Sequence, residues 1–501
     1  MKLTGIIDIG SNSMRLSITA QLENGGYYVV DEQKATPRLA NYVHDRRLSP
    51  EGINQLLFHL REFQGICHAF GVEEVAAIGT AALRSAENQQ DIIDRVKRET
   101  GFVIDVISGA DEALLGVSAV KHTLDVTDAY LVDIGGASTE VTLLEDGRIA
   151  ASHSFPFGAV TLSKMPEHAF VEHGTLRVPG FIAESLASVP FLQKRPAIEM
   201  IGIGGTIRNI ARVHQAHTAY PLVITHNYTM RISDVWQIVR WLSTLPLARR
   251  KKAEGLSKER ADVIVQGGVI LLSLLETLQS SVLRISGRGL RDGAFYTRIL
   301  RKPYGPAPLQ TVLQSSVQNT LRRFQTPEDH AAHVTRLAFD LYRAAVSFQL
   351  LPPFLDRIVY AAAMLHRIGI QVSYYNYDLH TFYLIFSSSI HGLSHKEIIL
   401  TAAIASYKGR RRMRQLCQPY QSLLSDEDLA VAAKLGTIVR IAESLDRRHE
   451  KRVSGVQLKI NDDRFDIWLP KGADAEVEIA AASTWAAHVK KTFGRTLSIG
   501  V

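Results

Sequence analysis

Cysteine is scarce in this chain, and long apolar runs are missing. Only two cysteines, Cys67 and Cys417, occur among 501 residues, and their separation fits neither a disulfide framework nor a metal or redox motif. We therefore expect a reducing, cytoplasmic compartment. No stretch approaches the roughly 18 uninterrupted apolar residues of a membrane span, and Asp8 breaks the apolar start of the chain. We expect neither a membrane segment nor a signal peptide.

Positive charge is in excess. The formal net charge is +7 and the pI is about 9.2, which favours anionic partners such as nucleic acid, a membrane surface or a phosphate-rich substrate. Basic residues cluster at 249–252, 408–414 and 447–452. Any one run can be a solvated helix end, but three runs together suggest a polyanion track. The predicted contact residues of this track are Lys408, Arg410, Arg411 and Arg412.

The first 300 residues alternate apolar strands with amphipathic helices, and one pattern occurs twice. An apolar strand ends in Asp-Ile-Gly-Ser-Asn-Ser at 8–13, and another ends in Asp-Ile-Gly-Gly-Ala-Ser-Thr at 133–139. Each turn continues into a second strand, so the repeated unit is a hairpin. A repeat on this scale predicts two related lobes, not a solenoid.

Both turns suit a phosphate group. Small residues let backbone N–H groups converge on phosphate oxygens, and hydroxyl groups add donors. Asp8 and Asp133, each two residues before the first glycine, are placed to hold Mg²⁺ directly or through water. One such turn is more often a plain hairpin, but two matched turns favour phosphate binding. The predicted phosphate-binding residues of the turns are Gly10, Ser11, Asn12, Ser13, Gly135, Gly136, Ala137 and Ser138.

Three further segments have the same character. Gly205 and Thr206 follow a short apolar strand and suit phosphate or nucleotide contact. Arg84 follows another strand, and its guanidinium can fork to phosphate oxygens. Asp111 and Glu112 open a helix. Acids are favoured there by the helix dipole alone, but beside phosphate loops one of the two is a candidate base for water.

The composition and the apolar periodicity of the sequence change beyond Arg301. Three prolines at 303–308 predict a linker. From about 309 to 448 the apolar residues recur at helical spacing. Alternating strands after 453, followed by one helix over roughly 475–493, predict a small α+β tail.

These motifs resemble the exopolyphosphatase/guanosine pentaphosphate phosphohydrolase family. The resemblance implies an α/β fold with two actin-like lobes of the acetate-and-sugar-kinase, actin and heat-shock-chaperone superfamily (ribonuclease H-like), then an all-α HD-like domain and the tail. The implied domains are 1–125, 126–302, 309–450 and 451–501. The matching segments, in family order, are 8–13, 79–84, 108–113, 133–140, 204–206, 255–262 and 286–293.

The resemblance also implies roles for single residues. Glu112 stands at the catalytic glutamate, Glu140 assists with metal or water, and Asp133 is the metal-site carboxylate. Two positions depart from the family pattern: Asp111 replaces a glutamate, and Ala137 replaces a third glycine that could need a positive φ. The residues that fall where the family grips phosphate are Asn12, Ser13, Arg84, Gly136 and Ser138.

The helical region resembles an HD-type phosphohydrolase module. Arg367 stands where the metal-binding pattern has an aspartate, and its charge would repel the cation. We expect this region to act as a scaffold that contacts polyanions, with a working metal centre as the alternative. The matching residues are His330, His333, His366, His380 and Asp446.

The sequence thus predicts a Mg²⁺-dependent exopolyphosphatase that removes terminal phosphate from inorganic polyphosphate. The alternatives are a guanosine pentaphosphate phosphohydrolase, a polyphosphate-dependent nucleotide kinase and a non-catalytic phosphate or alarmone sensor. Guanosine penta- or tetraphosphate is a second expected partner. Neither a membrane nor a specific nucleic acid is expected, and the resemblance implies a homodimer.

Overall fold

The computed structural model describes residues 1–166, 169–172, 175–193, 198–301, 311–471 and 474–501. The described residues form two compact units. The first comprises Met1–Gln21 and 27–301, and the second comprises 22–26 and 311–501. The linker predicted at 303–308 lies outside the described residues.

The first lobe of the first unit is built on a five-stranded sheet with the order β3-β2-β1-β6-β7. β1 and β2 form an antiparallel hairpin, and β6 and β7 continue the sheet in parallel. Its elements are β1 (Lys2–Ile9), β2 (Met14–Gln21), β3 (Tyr27–Ala35), β4 (Val43–His44), β5 (Arg47–Leu48), α1 (Pro50–Phe70), β6 (Glu74–Gly79), α2 (Ala81–Arg84), α3 (Gln89–Thr100), β7 (Ile104–Val106) and α4 (Gly109–Lys121).

The second lobe carries a six-stranded sheet with the order β10-β9-β8-β13-β15-β14. Its elements are β8 (Ala129–Ile134), β9 (Thr139–Glu145), β10 (Arg148–Phe155), α5 (Ala159–Leu162), β11 (Val171–Glu172), β12 (Thr175–Leu176), α6 (Gly180–Ala187), β13 (Met200–Ile203), α7 (Gly204–His217), β14 (Tyr228–Arg231), α8 (Ile232–Thr244), α9 (Leu247–Arg250), α10 (Ile264–Thr277), β15 (Val282–Ile285) and α11 (Leu290–Ala294). Every residue from Ile264 to Leu275 is buried, because α10 is apolar on all sides and can only lie inside the lobe.

The two lobes repeat one plan. Each sheet begins with three strands in antiparallel order. The first of these strands also pairs in parallel with a later strand: β1, of the β1–β2 hairpin, pairs with β6, and β8, of the β8–β9 hairpin, pairs with β13. The predicted repeat of a hairpin in two α/β lobes is therefore confirmed. The positions of the domain boundaries remain predictions.

The second unit is helical up to its tail, as predicted. Its helices are α12 (Val312–Arg323), α13 (Glu328–Ser347), α14 (Asp356–Leu365), α15 (Tyr377–Ser387), α16 (His395–Ala405), α17 (Arg410–Cys417) and α18 (Asp426–Ser444). Among the helices within the described residues, none combines the length and the hydropathy that crossing a membrane requires.

The tail differs from the prediction in one respect. It contains β16 (Gln457–Ile460), β17 (Arg464–Trp468), α19 (Glu476–Ser483), α20 (Ala486–Phe493) and β18 (Thr496–Gly500). The single helix predicted at 475–493 is wrong. The helix ends at Ser483, and the Thr484 hydroxyl binds the carbonyl of Ala481, a local bond that competes with helix continuation. After Gly494, which has φ 74°, β18 pairs in parallel with β17.

Candidate active site

The turn between β1 and β2 lies against the turn between β8 and β9. Gly10 N donates to Ser13 O at 3.2 Å, and Gly135 N donates to Ser138 O at 3.0 Å, so both turns close in the same way. A Cβ placed on Gly136 would lie 3.3 Å from the Cβ of Asn12. The structure therefore brings the two predicted phosphate loops together.

The glycines of these loops serve close approach. Gly10, Gly135 and Gly136 do not have a positive φ, and Ala137 also lies outside the left-handed region. The positive φ considered for Ala137 is therefore absent, and its methyl group causes no backbone strain. The left-handed glycine of the site is Gly204, with φ 87°. A side chain there would collide with Oδ1 of Asp133.

A cavity of about 370 Å³ opens between the loops. It collects most of the predicted site residues, although these are scattered over the first 205 positions of the sequence. Of the predicted catalytic, phosphate-binding and metal residues, Arg84 and Thr206 do not line it. The predicted residues that line it are Asp8, Gly10, Ser11, Asn12, Ser13, Glu112, Asp133, Gly135, Gly136, Ala137, Ser138, Glu140 and Gly205.

The helix start at α4 separates the two acids of the predicted pair. Ser108 caps the helix by accepting from Asp111 N at 3.1 Å, and its hydroxyl donates to Asp111 Oδ2 at 2.7 Å. Asp111 is exposed and occupied by this cap. Glu112 instead lines the cavity, so only the second acid is placed to act there.

Arg84 holds Glu112. Its Nη1 donates to Glu112 Oε2 at 2.9 Å and to the carbonyl of Ile107 at 3.1 Å. Thr206 is likewise a supporting residue, because its buried hydroxyl donates to the carbonyl of Ile134 at 3.3 Å. That carbonyl precedes the second loop.

Four of the carboxyl groups that line the cavity have raised pKa values. Burial raises the pKa of Asp8 to about 6 and raises that of Asp133. Burial, and next the charge of Glu140, raise the pKa of Glu112 to about 8. Burial, and next the charge of Asp133, raise the pKa of Glu140 to about 7. Burial thus disfavours the charged form of these four carboxyl groups, which favours a proton or a bound cation beside them.

Glu140 has a fixed orientation. The hydroxyl of Ser154 on β10 donates to Glu140 Oε1 at 2.9 Å. Glu140 lies opposite Asp133 in the β8–β9 hairpin. The hairpin thus presents both carboxylates at one end of the second sheet.

Arginines supply the positive charge of the cavity, and none of those that line it was among the predicted site residues. Within the described residues, the side chains of Arg15 and Arg212 make no hydrogen bond or ion pair, so both guanidinium groups are available to a ligand. The sequence does contain an indication for two of them. Arg208 and Arg212 follow the glycine pair at helical spacing and share one face of α7, so both can point toward the ligand that the glycines approach. The lining arginines are Arg15, Arg208, Arg212, Arg260, Arg288 and Arg291.

The predicted metal residues suit a hard cation. Asp8 and Asp133 are half-buried at the cavity, and their side chains make no hydrogen bond or ion pair with another described residue. No group of three or more His, Cys, Asp or Glu side chains in the described ranges is arranged to hold a metal ion. Mg²⁺, however, usually binds one or two carboxylates together with water and substrate phosphates. The donor set of Asp8, Asp133 and Glu140 fits that mode.

The predicted HD residues lie in the second unit. His330 Nδ1 is 2.7 Å from Asp446 Oδ2, and burial lowers the pKa of His366 to about 4. Arg367 lies 3.3 Å from Glu443, which also pairs with Arg440. His333 shares α13 with His330, and His380 lies on α15.

The basic run at 408–414 is partly engaged. Lys408 Nζ and Arg412 Nε lie 2.9 and 2.6 Å from the two carboxylate oxygens of Asp378, whose side chain is fully buried. These two cations neutralise an internal charge. Arg410 and Arg411 are exposed on α17, as is Arg414, which lies 3.6 Å from Asp426.

Comparison with known proteins identifies relatives of this chain. The chain is 28% identical over 481 residues to a guanosine-5'-triphosphate,3'-diphosphate pyrophosphatase of Photobacterium profundum, covering 93% of this chain and 92% of that protein. It is 27% identical over 343 residues to exopolyphosphatase 1 of Mycobacterium bovis, covering 66% of this chain and 98% of that protein.

Solved structures show the same fold. An exopolyphosphatase from Cytophaga hutchinsonii superposes with a TM-score of 0.55 at 24% identity, covering 61% of this chain and all of that chain. The Ppx/GppA family member of Aquifex aeolicus gives a TM-score of 0.50 at 28% identity, covering 60% of this chain and 98% of that chain.

Family models account for most of the sequence. The model of the Ppx/GppA phosphatase family matches residues 18–302, a range that begins within β2 and contains the second phosphate loop. The model of domain III of the Ppx/GppA phosphatases matches residues 312–483, the helical region and most of the tail. The chain belongs to the Ppx/GppA phosphatase family.

Proposed function

We propose that the first unit hydrolyses the terminal phosphoanhydride bond of inorganic polyphosphate. The observation that carries this proposal is the meeting, in one cavity, of two phosphate loops, six arginines and Glu112. Loops and arginines bind phosphate, and the glutamate supplies the base.

The loops and arginines bind the end of the substrate. Small residues leave the backbone N–H groups of both turns accessible to phosphate oxygens. Arg15 and Arg212 add guanidinium groups without protein partners, which suit the planar recognition of phosphate. Several phosphates in a row need this much positive charge, whereas a single phosphate does not.

Glu112 positions and deprotonates the water. Its carboxylate takes a proton as the water oxygen attacks the terminal phosphorus in line, and the P–O bond to the next phosphate breaks. The shortened chain leaves as an anion, and the arginines carry its charge. Arg84 fixes the direction of the carboxylate and favours its ionised form.

Mg²⁺ is the proposed cofactor, and Asp8, Asp133 and Glu140 would hold it. When bound, it neutralises phosphate charge and polarises the bond to be broken. The raised pKa values of these carboxyl groups support the proposal, because a bound cation stabilises the ionised form of a buried acid.

A guanosine pentaphosphate phosphohydrolase is the second candidate. The observation in its favour is the extent of the match. The relative named as a guanosine-5'-triphosphate,3'-diphosphate pyrophosphatase aligns over both units, whereas the mycobacterial exopolyphosphatase 1 aligns over 66% of this chain. The chemistry at the cleaved bond is the same for both substrates.

Phosphate release decides between the two candidates. The purified full chain is assayed with tripolyphosphate, with long-chain polyphosphate and with guanosine pentaphosphate, each with and without Mg²⁺. Our proposal predicts a higher kcat/KM for polyphosphate and loss of release without Mg²⁺. A higher kcat/KM for the guanosine substrate would make the second candidate the function, and no release from any of the three would refute both.

The second unit is proposed as a scaffold whose exposed Arg410 and Arg411 bind the distal part of a long polyphosphate chain. We further propose a cytoplasmic homodimer. Both cysteines are buried free thiols, which fits a reducing compartment. Sedimentation equilibrium measures the oligomeric state, and a single species of about 55.5 kDa would rule out the dimer.

A further inference from the structure

Arg38 has an unusual backbone conformation beside the first phosphate loop. Its φ and ψ are 55° and 51°, in the left-handed region, and it precedes a 3₁₀ helix at Leu39–Tyr42. A non-glycine residue pays about 1–3 kcal/mol for such a conformation unless its surroundings hold it there. The contacts of Arg38 show what holds it.

The backbone of this segment supports the first loop from behind. Arg38 N donates to the carbonyl of Asn12 at 3.1 Å, and Ala40 N donates to the carbonyl of Ser11 at 2.9 Å. With these two carbonyls bound outside the cavity, the loop is fixed in the orientation in which it lines the cavity.

The side chain of Arg38 reaches the second lobe. Its Nη1 lies 2.6 Å from Asp262 Oδ2, and its Nη2 donates to the carbonyl of Glu259 at 3.3 Å. Between these two residues is Arg260, which lines the cavity and donates to Thr206 Oγ1 at 3.4 Å. Arg38 therefore binds both sides of the segment that carries Arg260, one of the arginines of the cavity.

A small apolar contact lies at the same place. Ala40 from the first lobe packs with Ala159, Val160 and Val263 from the second. Val160 N also donates to the carbonyl of Gly136 in the second loop at 2.8 Å. One local contact between the lobes thus touches both phosphate loops and the Arg260 segment.

We infer that Arg38 is a positioning residue that, through Asp262, sets the approach of the two phosphate loops and of Arg260. The inference rests on the proposed function, since it assumes a substrate whose phosphates contact both loops. Without the Arg38–Asp262 pair, the arrangement in which both loops face one ligand becomes a smaller fraction of the population. Apparent affinity falls in proportion to that fraction, while the reaction of the bound, closed complex is unchanged.

The test uses the full chain and tripolyphosphate. Arg38→Gly removes the side chain and keeps a residue that favours positive φ, and Asp262→Asn removes the partner charge from the other side. We expect each to raise KM about five- to tenfold with kcat within about twofold, and the double variant to equal the singles. Arg38→Lys should recover part of the loss. Lys34→Gln, which removes the neighbouring exposed pair with Glu259 at 3.3 Å, is the control and should change KM less than twofold.

A binding measurement separates this inference from the proposed function. In the Glu112→Gln background, the Kd for tripolyphosphate should rise by the same five- to tenfold in Arg38→Gly. A fall in kcat with unchanged KM and Kd, or effects that add in the double variant, would overturn the positioning role. If the unaltered chain binds tripolyphosphate but releases no phosphate, the proposed function fails and the Kd comparison still tests Arg38.

Discussion

Glu112 in the first unit and Glu443 in the second each lie beside an arginine, yet their electrostatic surroundings are opposite. Around Glu112, burial and the charge of Glu140 outweigh Arg84 and raise the pKa to about 8. Around Glu443, burial also disfavours the charge, but Arg440, His366 and Arg367 outweigh it and hold the pKa at about 2.

The partners explain the difference. Arg440 is buried, pairs with Glu443 at 2.6 Å, and donates to the carbonyls of Tyr407 and Ala405 at 2.7 and 2.8 Å. Arg367, which stands where a metal-binding aspartate was expected, adds a second positive charge at 3.3 Å. The second unit thus neutralises its buried carboxylate internally, as a scaffold does. In the first unit, burial and neighbouring carboxylates outweigh the nearby arginines and raise the pKa values of these carboxyl groups, as at a site that receives protons or cations.

Glu112→Gln tests the first half of this comparison and should have the largest effect. We expect kcat for phosphate release to fall about 10²–10⁴-fold, the usual contribution of a positioned base, while tripolyphosphate still binds. Asp111→Asn, at the adjacent exposed acid, is the matched control. Retention of more than about a tenth of the rate by Glu112→Gln would assign the base elsewhere.

Glu443→Gln tests the second half through stability. Removing one partner of a buried ion pair usually costs about 3–5 kcal/mol, so the free energy of unfolding of the second unit should fall by that order in urea titrations at pH 7. Glu450→Gln, which breaks an exposed pair with Arg452, should change it by less than about 1 kcal/mol. Equal effects would show that Glu443 is no more important than a surface acid.

The same two glutamates should give opposite pH dependences of stability. The pKa of Glu443 is lowered from 4.5 to about 2, so its contribution is present above pH 4.5 and is lost as the pH falls toward 2. The pKa of Glu112 is raised from 4.5 to about 8, so its contribution is present below pH 4.5 and is lost as the pH rises toward 8. Glu112→Gln should therefore gain stability relative to the unaltered chain between pH 4.5 and 8. A gain for Glu443→Gln over that range would contradict the comparison.

Neutralising the exposed part of the basic helix should have a moderate effect that depends on chain length. Arg410→Gln with Arg411→Gln should lower kcat/KM for long polyphosphate about tenfold and flatten its salt dependence, because fewer counterions are released. Tripolyphosphate should be nearly unaffected. Lys459→Gln with Arg464→Gln removes the same charge from the exposed tail strands as a control. Equal losses at both chain lengths would identify α17 as ordinary surface.

Ser154→Ala should have the smallest effect, on the pH profile. The Ser154 hydroxyl stabilises ionised Glu140, so its loss raises the pKa of the Glu112–Glu140 pair. The acid limb of kcat/KM should move to higher pH by about half a unit, the equivalent of one modest hydrogen bond. Ser152→Ala, whose hydroxyl contacts Thr142 on the same strand pair, should leave the limb in place. If the acid limb of kcat/KM does not move in Ser154→Ala, Ser154 does not influence the pKa of the Glu112–Glu140 pair.

Local sequence patterns were enough to predict the hairpins, but they did not predict the contacts between residues that are distant in the sequence. The Asp-x-Gly turns at 8–13 and 133–139 are encoded by adjacent residues, so both loops and the acids beside them followed from the sequence. Asp378 carries no signal that it will be buried against Lys408 and Arg412. Nor does the sequence around Arg38 indicate its left-handed conformation or its ion pair with Asp262. Arg84 was expected at the phosphate, and that stays a prediction; its contact with Glu112 is one that no local pattern in the sequence indicates.

The most direct test of where catalysis occurs compares phosphate release from tripolyphosphate by Glu112→Gln and His366→Ala. Both residues are acid–base groups with shifted pKa values, one in each unit. Our account predicts that Glu112→Gln loses about 10²–10⁴-fold in kcat, whereas His366→Ala stays within about twofold of the unaltered chain. A large loss in His366→Ala, with Glu112→Gln still active, would place the chemistry in the second unit and contradict the account.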